Sequence, residues 1–147
     1  MRRLFVDANI LIRIIVNKEH NLLKYLVGTE PYTSTHVLEE AMYKLIALSI
    51  IEVEGPVNAY KVRKLFERGV AEDIIKARLD GLNKIAEKLN IIPATYSDFE
   101  ESKRIALEYK LLPNDALIVA IMGREEIKEI LTMDNDFKRI PWLKVIP

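Results

Sequence analysis

The chain has 147 residues, half of them apolar, enough for one domain with a sizeable core. Its 22 basic and 22 acidic residues give a formal net charge of +0, so no global positive field draws in nucleic acid and any polyanion must be met by local charge. The absence of cysteine excludes disulfides, zinc–thiolate sites and a cysteine nucleophile.

Residues 3–6 have the composition of a strand, and residues 8–17 carry apolar side chains at helical spacing, which puts Asp7 at a strand's end. Asp7 and Arg13 break this apolar run too often for a signal-peptide centre or a membrane span of about 20 residues. A cytoplasmic protein without membrane contact is expected. Residues 20–28 predict a second short helix ending at Gly28, and residues 31–35 a brief strand feeding a helix over 36–51, with Glu39 and Glu40 near its start.

Gly55 and Pro56 punctuate the chain, after which 57–69 and 72–90 show the i, i+3, i+4 spacing of two surface helices. Residues 55–90 are therefore expected to form a helical excursion within one unit spanning 1–147. Residues 91–95 predict a third strand, and Ser97 with Glu100 carries the capping-box pattern of a helix over 97–110. Pro113 and Asn114 open a helix over 113–126 whose apolar band is too wide for a surface position. The remainder reads as a strand, a polar turn carrying Asp134 and Asp136, and a last short strand. The alternation predicts an α/β fold, a central mainly parallel sheet flanked by helices on both faces with an extra helical hairpin.

In such sheets ligands bind beyond the carboxyl ends of the strands. Asp7 and Asp134 each follow a predicted strand, while Glu40 and Asp115 lie in the first turns of helices on the same side of the sheet, so four carboxylates are expected to converge. Two like charges about 4 Å apart repel by roughly 4 kcal/mol at an effective dielectric near 20, so such a cluster requires protons or a cation. Oxygen ligands without histidine suit Mg²⁺ or Mn²⁺. From charge alone, Asp7→Asn is expected to raise the melting temperature of the metal-free protein.

The stretches "FVDANIL", "STHVLEE" followed by "AMY", "LPNDALIVA" and "LTMDNDF" resemble, in order, the four sequence blocks of PIN-domain ribonucleases, especially those of the VapC toxin type. The resemblance implies a single PIN-like domain with an Mg²⁺- or Mn²⁺-dependent endoribonuclease site, in which Asp7, Glu40, Asp115 and Asp134 hold metal and act in catalysis. Glu40 is matched rather than Glu39 because the family's acid is followed by two apolar residues and often an aromatic. Asn9, Ser34 and Thr132 also match, as groups that orient the carboxylates, with Asp136 the second acid of the fourth block. The resemblance further implies an RNA substrate, a homodimer and a VapB-like antitoxin partner. An RNA-processing nuclease without a toxin role, and a non-catalytic PIN-like binding or scaffold module, are the alternatives.

Each acid also has an ordinary explanation. Glu39, Glu40 and Asp115 complement helix dipoles, Asp134 and Asp136 suit a turn, and Asp7 is a candidate helix cap. His20 and His36 lie at no metal-ligand spacing and receive no role. Lys61, Arg63, Lys64, Arg68, Lys76 and Arg78 read as a solvated helix face rather than a phosphate surface. An aspartyl-phosphate on Asp7 is disfavoured because Asn9 stands where a D-x-D pair needs its second acid.

Overall fold

Strand β1 (Arg2–Val6) buries Leu4, Phe5 and Val6 in succession, the pattern of a strand covered on both faces. In the computed structural model, which describes residues 1–147, β1 is the middle of a five-stranded sheet. Helix α1 (Ala8–Val16) follows directly, then a 3-10 helix over His20–Leu26, strand β2 (Thr29–Ser34) and the long helix α2 (Thr35–Glu54). Helices α3 (Ala59–Glu67) and α4 (Glu72–Ala86) form the excursion, and β3 (Asn90–Ile92), α5 (Tyr96–Tyr109), α6 (Pro113–Arg124), β4 (Glu129–Leu131) and β5 (Lys144–Ile146) complete the chain.

The strand order is β3-β2-β1-β4-β5 and every pairing is parallel. The chain builds outward from β1 through β2 to β3, then returns to the other side of β1 to lay down β4 and β5. The strand order thus reverses between β1 and β4, the position where open parallel sheets form a crevice beyond their carboxyl ends. Asp7 leaves β1 there, and Thr132 to Asp136 leave β4.

The main core joins β1, α1, α6 and β4 through such residues as Phe5, Ile10, Ile118 and Ile130. Helix α6 buries six of its twelve residues, Ala116 and Ile118 to Met122, as its broad apolar band requires. A second, smaller core of Ile50, Val62, Leu65 and Ile75 seats the α3–α4 hairpin on the end of α2, and Leu79 packs against both cores.

Three local expectations are revised. Residues 20–26 form a 3-10 helix instead of an α-helix: only Leu22 is buried and no side chain caps the start, so no apolar face rewards a regular helix. Strand β2 begins at Thr29, because the register with β1 pairs Thr29 with Arg2. Helix α5 is capped by Thr95 and Asp98 rather than Ser97 and Glu100. Thr95 Oγ1 accepts from the Asp98 backbone at 3.2 Å and Asp98 Oδ2 accepts from the Thr95 backbone at 2.9 Å. Asp98 holds that position because Arg124, on α6, donates to both its oxygens at 2.8 and 2.9 Å.

Candidate active site

Asp7 continues the sheet through its backbone, donating to Leu131 O at 3.1 Å, and then caps α1 with Oδ1 accepting from Ala8 N at 2.7 Å. Its other oxygen, Oδ2, accepts from the Thr132 hydroxyl at 2.7 Å and the Asn9 amide at 3.2 Å. Capping and a place among the acids are therefore not alternatives for this residue. Burial pushes the Asp7 carboxyl above its ordinary range, Glu40 and Asp134 push the same way, and the bonds from Thr132 and Ala8 oppose them.

Thr132 is the junction of the site. Its Oγ1 also accepts from the Asn9 amide at 3.1 Å and from the Asp134 backbone at 3.0 Å, while its own backbone donates to Ile146 O at 2.8 Å. Asn9 Oδ1 accepts from Met133 N at 3.1 Å, so the loop after β4 is tied to the first turn of α1. Asp134 Oδ1 accepts from Asp136 N at 2.9 Å and starts the 3-10 helix Asn135–Arg139, which turns Asp136 back towards the crevice.

Asp115 enters from the first turn of α6. One carboxylate oxygen from each of Asp115, Asp134 and Asp136 lies within 4.8 Å of the others. The Asp115 carboxyl is pushed up to about 7, first by burial, then by the charges of Asp7 and Asp134, a hydrogen bond with Asp134, and Glu40. Asp7 and Glu40 stand outside the tightest trio, yet their charges reach it. Near neutral pH this pocket holds either a proton or a cation.

Glu40 approaches from the second turn of α2, where Oε2 accepts from the Asn114 amide and Oε1 pairs with Lys44 Nζ at 2.9 Å. Glu39 is exposed, beside Leu79 and Leu82 of α4. Ser34 is used differently from expectation: its Oγ accepts from Val37 N at 3.3 Å, capping α2, and shares a 2.7 Å hydrogen bond with His36 Nδ1. It touches no carboxylate, because the start of α2 claims its oxygen locally.

Lys44 and Arg139 carry no expectation from the sequence, and Asn114, expected only as a helix-start residue, holds Glu40. Arg139 donates to Asp136 Oδ1 at 3.0 Å and to Lys110 O at 2.7 Å, bracing the outer acid. Lys44 lies one turn beyond Glu40 and Arg139 three residues beyond Asp136, spacings at which helical neighbours pair, so the signal was present. Among the excursion's cations Lys61, Arg63, Arg68 and Lys76 are exposed and Lys64 sits over Tyr60, but Arg78 departs from the expected solvated face, folding back onto α2 to bond Ser49 and Glu52 with its side chain 16% exposed.

The donor set, carboxylate oxygens with the Asn9 and Asn114 amides and the Thr132 hydroxyl behind them, fits a hard divalent ion, and the mutual repulsion of the acids favours one. No helix is long and apolar enough to cross a membrane.

Comparison with known proteins identifies the family and the fold. The PIN domain family model matches residues 4–143. Ribonuclease VapC6 of Methanocaldococcus jannaschii is 26% identical over 97% of this chain and 95% of its own length. Among solved structures, VapBC2 from Rickettsia felis, bound to a DNA fragment from its promoter, superposes with a TM-score of 0.65 at 22% identity, covering 97% of this chain and 96% of that one. VapC20 of Mycobacterium tuberculosis, a sarcin-ricin loop cleaving toxin, superposes with a TM-score of 0.65 at 18% identity over 98% and 99%. These structural likenesses show the fold.

Proposed function

The chain belongs to the PIN domain family, and from that premise we propose that it is a divalent-metal-dependent endoribonuclease, the toxin of a VapBC-type pair. The observation that carries this reading is the approach of Asp115, Asp134 and Asp136 oxygens within 4.8 Å of one another in the crevice, where burial and the charges of Asp7, Asp134 and Glu40 push the Asp115 carboxyl up to about 7. Perturbed acids at the crevice of an open sheet mark a place built for a cation and a reaction. The ribonuclease name of VapC6 supports RNA as the substrate.

In this reading Asp7, Glu40, Asp115 and Asp134 hold Mg²⁺ or Mn²⁺, directly or through water, with Asp136 at the rim. A divalent ion there supplies a more acidic water and offsets charge on the attacked phosphate. Thr132 and Asn9 hold the Asp7 carboxylate in one orientation, and Asn114 does the same for Glu40. Burial of Asp7 limits bulk water at its side of the crevice, which strengthens every charge interaction there.

A VapB-like antitoxin partner, supported by the VapBC complex among the similar structures, a homodimer and a cytoplasmic location complete the proposal. The test is incubation of purified protein with a mixed RNA pool and Mn²⁺, beside Asp7→Asn and Asp115→Asn. Cleavage by the parent alone is expected; equal cleavage in all three samples would overturn the assignment. Growth arrest on expression, relieved by the product of a neighbouring reading frame, is the expected sign of the toxin role. An active enzyme without toxicity would favour RNA processing.

A further inference from the structure

We propose that Arg13 and Lys44 form a subsite for a backbone phosphate of the RNA strand, adjacent to the bond that is cut; this rests on the nuclease reading above. A groove of about 330 Å³ runs between α1 and α2, lined by Asn9, Ile12, Arg13, Lys44, Ala47 and Leu48. It opens onto the acids. Asn9 donates to Asp7 at 3.2 Å at its inner end, and Lys44 pairs with Glu40 at 2.9 Å.

An RNA chain approaching this crevice meets a cluster of carboxylates on a protein of zero formal net charge, so nearby cations must compensate. The groove supplies two and no carboxylate lines it. Two other cations, Arg139 and Arg78, are engaged elsewhere: Arg139 is held by Lys110 O and Asp136, and Arg78 by Ser49 and Glu52.

Arg13 and Lys44 are each paired with one part-exposed carboxylate. Arg13 reaches Glu19 only at 3.5 Å, with side chains 41% and 34% exposed, and the Lys44–Glu40 pair is 49% and 26% exposed. Exposed pairs of this kind contribute little to stability, whereas a phosphate offers shorter, charge-assisted hydrogen bonds to both cations. Lys44 Nζ carries three donors and Glu40 Oε1 takes one of them, which leaves donors for a phosphate. The apolar floor of Ile12, Ala47 and Leu48 offers no donor or acceptor to a base edge. The subsite therefore positions the strand without reading its sequence.

The test is fluorescence anisotropy of a short fluorescein-labelled single-stranded RNA over a range of KCl, with Ca²⁺ as the added ion, alongside steady-state cleavage in Mn²⁺. Arg13→Gln and Lys44→Gln should each weaken binding about 3–10-fold and lower the slope of log K against log salt by about 0.7. Lys44→Arg should restore both, and Arg63→Gln, on the excursion, should match the parent. In cleavage, Arg13→Gln should raise KM far more than it lowers kcat. Variants that keep the parent's affinity and slope would overturn the subsite. A parent that binds with the full slope, loses it in the variants, but never cuts RNA would support the subsite and overturn the nuclease reading. A parent that does not bind would overturn both.

Discussion

Thr132 donates its hydroxyl proton to Asp7 across 125 residues of sequence, and the same oxygen receives the Asn9 amide and the Asp134 backbone. One hydroxyl thereby ties the exits of β1 and β4 to the first turn of α1. Thr132→Val keeps the shape but leaves these partners without it. The expected cost is about 2 kcal/mol of stability. Affinity for Mn²⁺, measured by calorimetry, should fall about 10–100-fold.

Relieving the acids' repulsion has opposite results at two positions. Above pH 7, where Asp115 is ionised, Asp115→Asn removes a charge facing Asp7, Asp134 and Glu40, and an amide still donates to Asp134, so the metal-free melting temperature should rise by roughly 2–4 °C there. Asp7→Asn should instead lower it, reversing the expectation from charge alone. Both Asp7 oxygens accept from N–H or O–H donors, and an amide must turn its NH₂ towards one of them. Scanning calorimetry in chelator checks both; a higher melt for Asp7→Asn would contradict the hydrogen-bond argument.

The dependence on pH follows from Asp115. Its carboxyl titrates at about 7 in the folded chain against an ordinary value of 3.8, so between these pH values the native state holds a proton that the unfolded state has lost. Its contribution to stability is fully present below about pH 4 and is lost as pH rises through about 7. In chelator, the parent's melting temperature should decline across this window more steeply than that of Asp115→Asn. Mn²⁺ should stabilise the parent increasingly as pH rises towards about 7 and then level off, because the ion competes with that proton.

Away from the site, Arg124 neutralises the buried carboxylate of Asp98, which is 2% exposed. Burial alone would raise that carboxyl, but the guanidinium together with the Thr95 bonds holds it below its ordinary range. Arg124→Met strands the charge and should cost about 3 kcal/mol. Below its melting point the variant should cleave RNA as the parent does, which separates a structural ion pair from the acids of the crevice.

Legibility in the sequence followed the range of the interaction. Strand β1 and helix α6 announce themselves because their own side chains carry the burial pattern. The grouping of Asp7, Asp115 and Asp134 was readable because strand ends and helix starts share one side of a parallel sheet. The cap of α5 was not, since Arg124, 26 residues away, decides which acid sits beside Thr95. Ser34 was misassigned for a different reason: a helix start three residues long competes for the same hydroxyl, and local geometry won. Asp136 was ambiguous because a turn residue and a site residue look alike until the 3-10 helix after Asp134 sets its direction.

The small core beneath the α3–α4 hairpin meets the main core through Leu79 and leaves the crevice acids untouched. Helix α4 also enters the main core through Leu82 and Ile85, whereas the buried side chains of α3 rest on the small core alone, so amide exchange in Val62 and Leu65 should run ahead of that in Ile118 and Ile130. Such a module is free to diverge in length and surface from one relative to another while the chemistry at the sheet's edge stays under its own constraint.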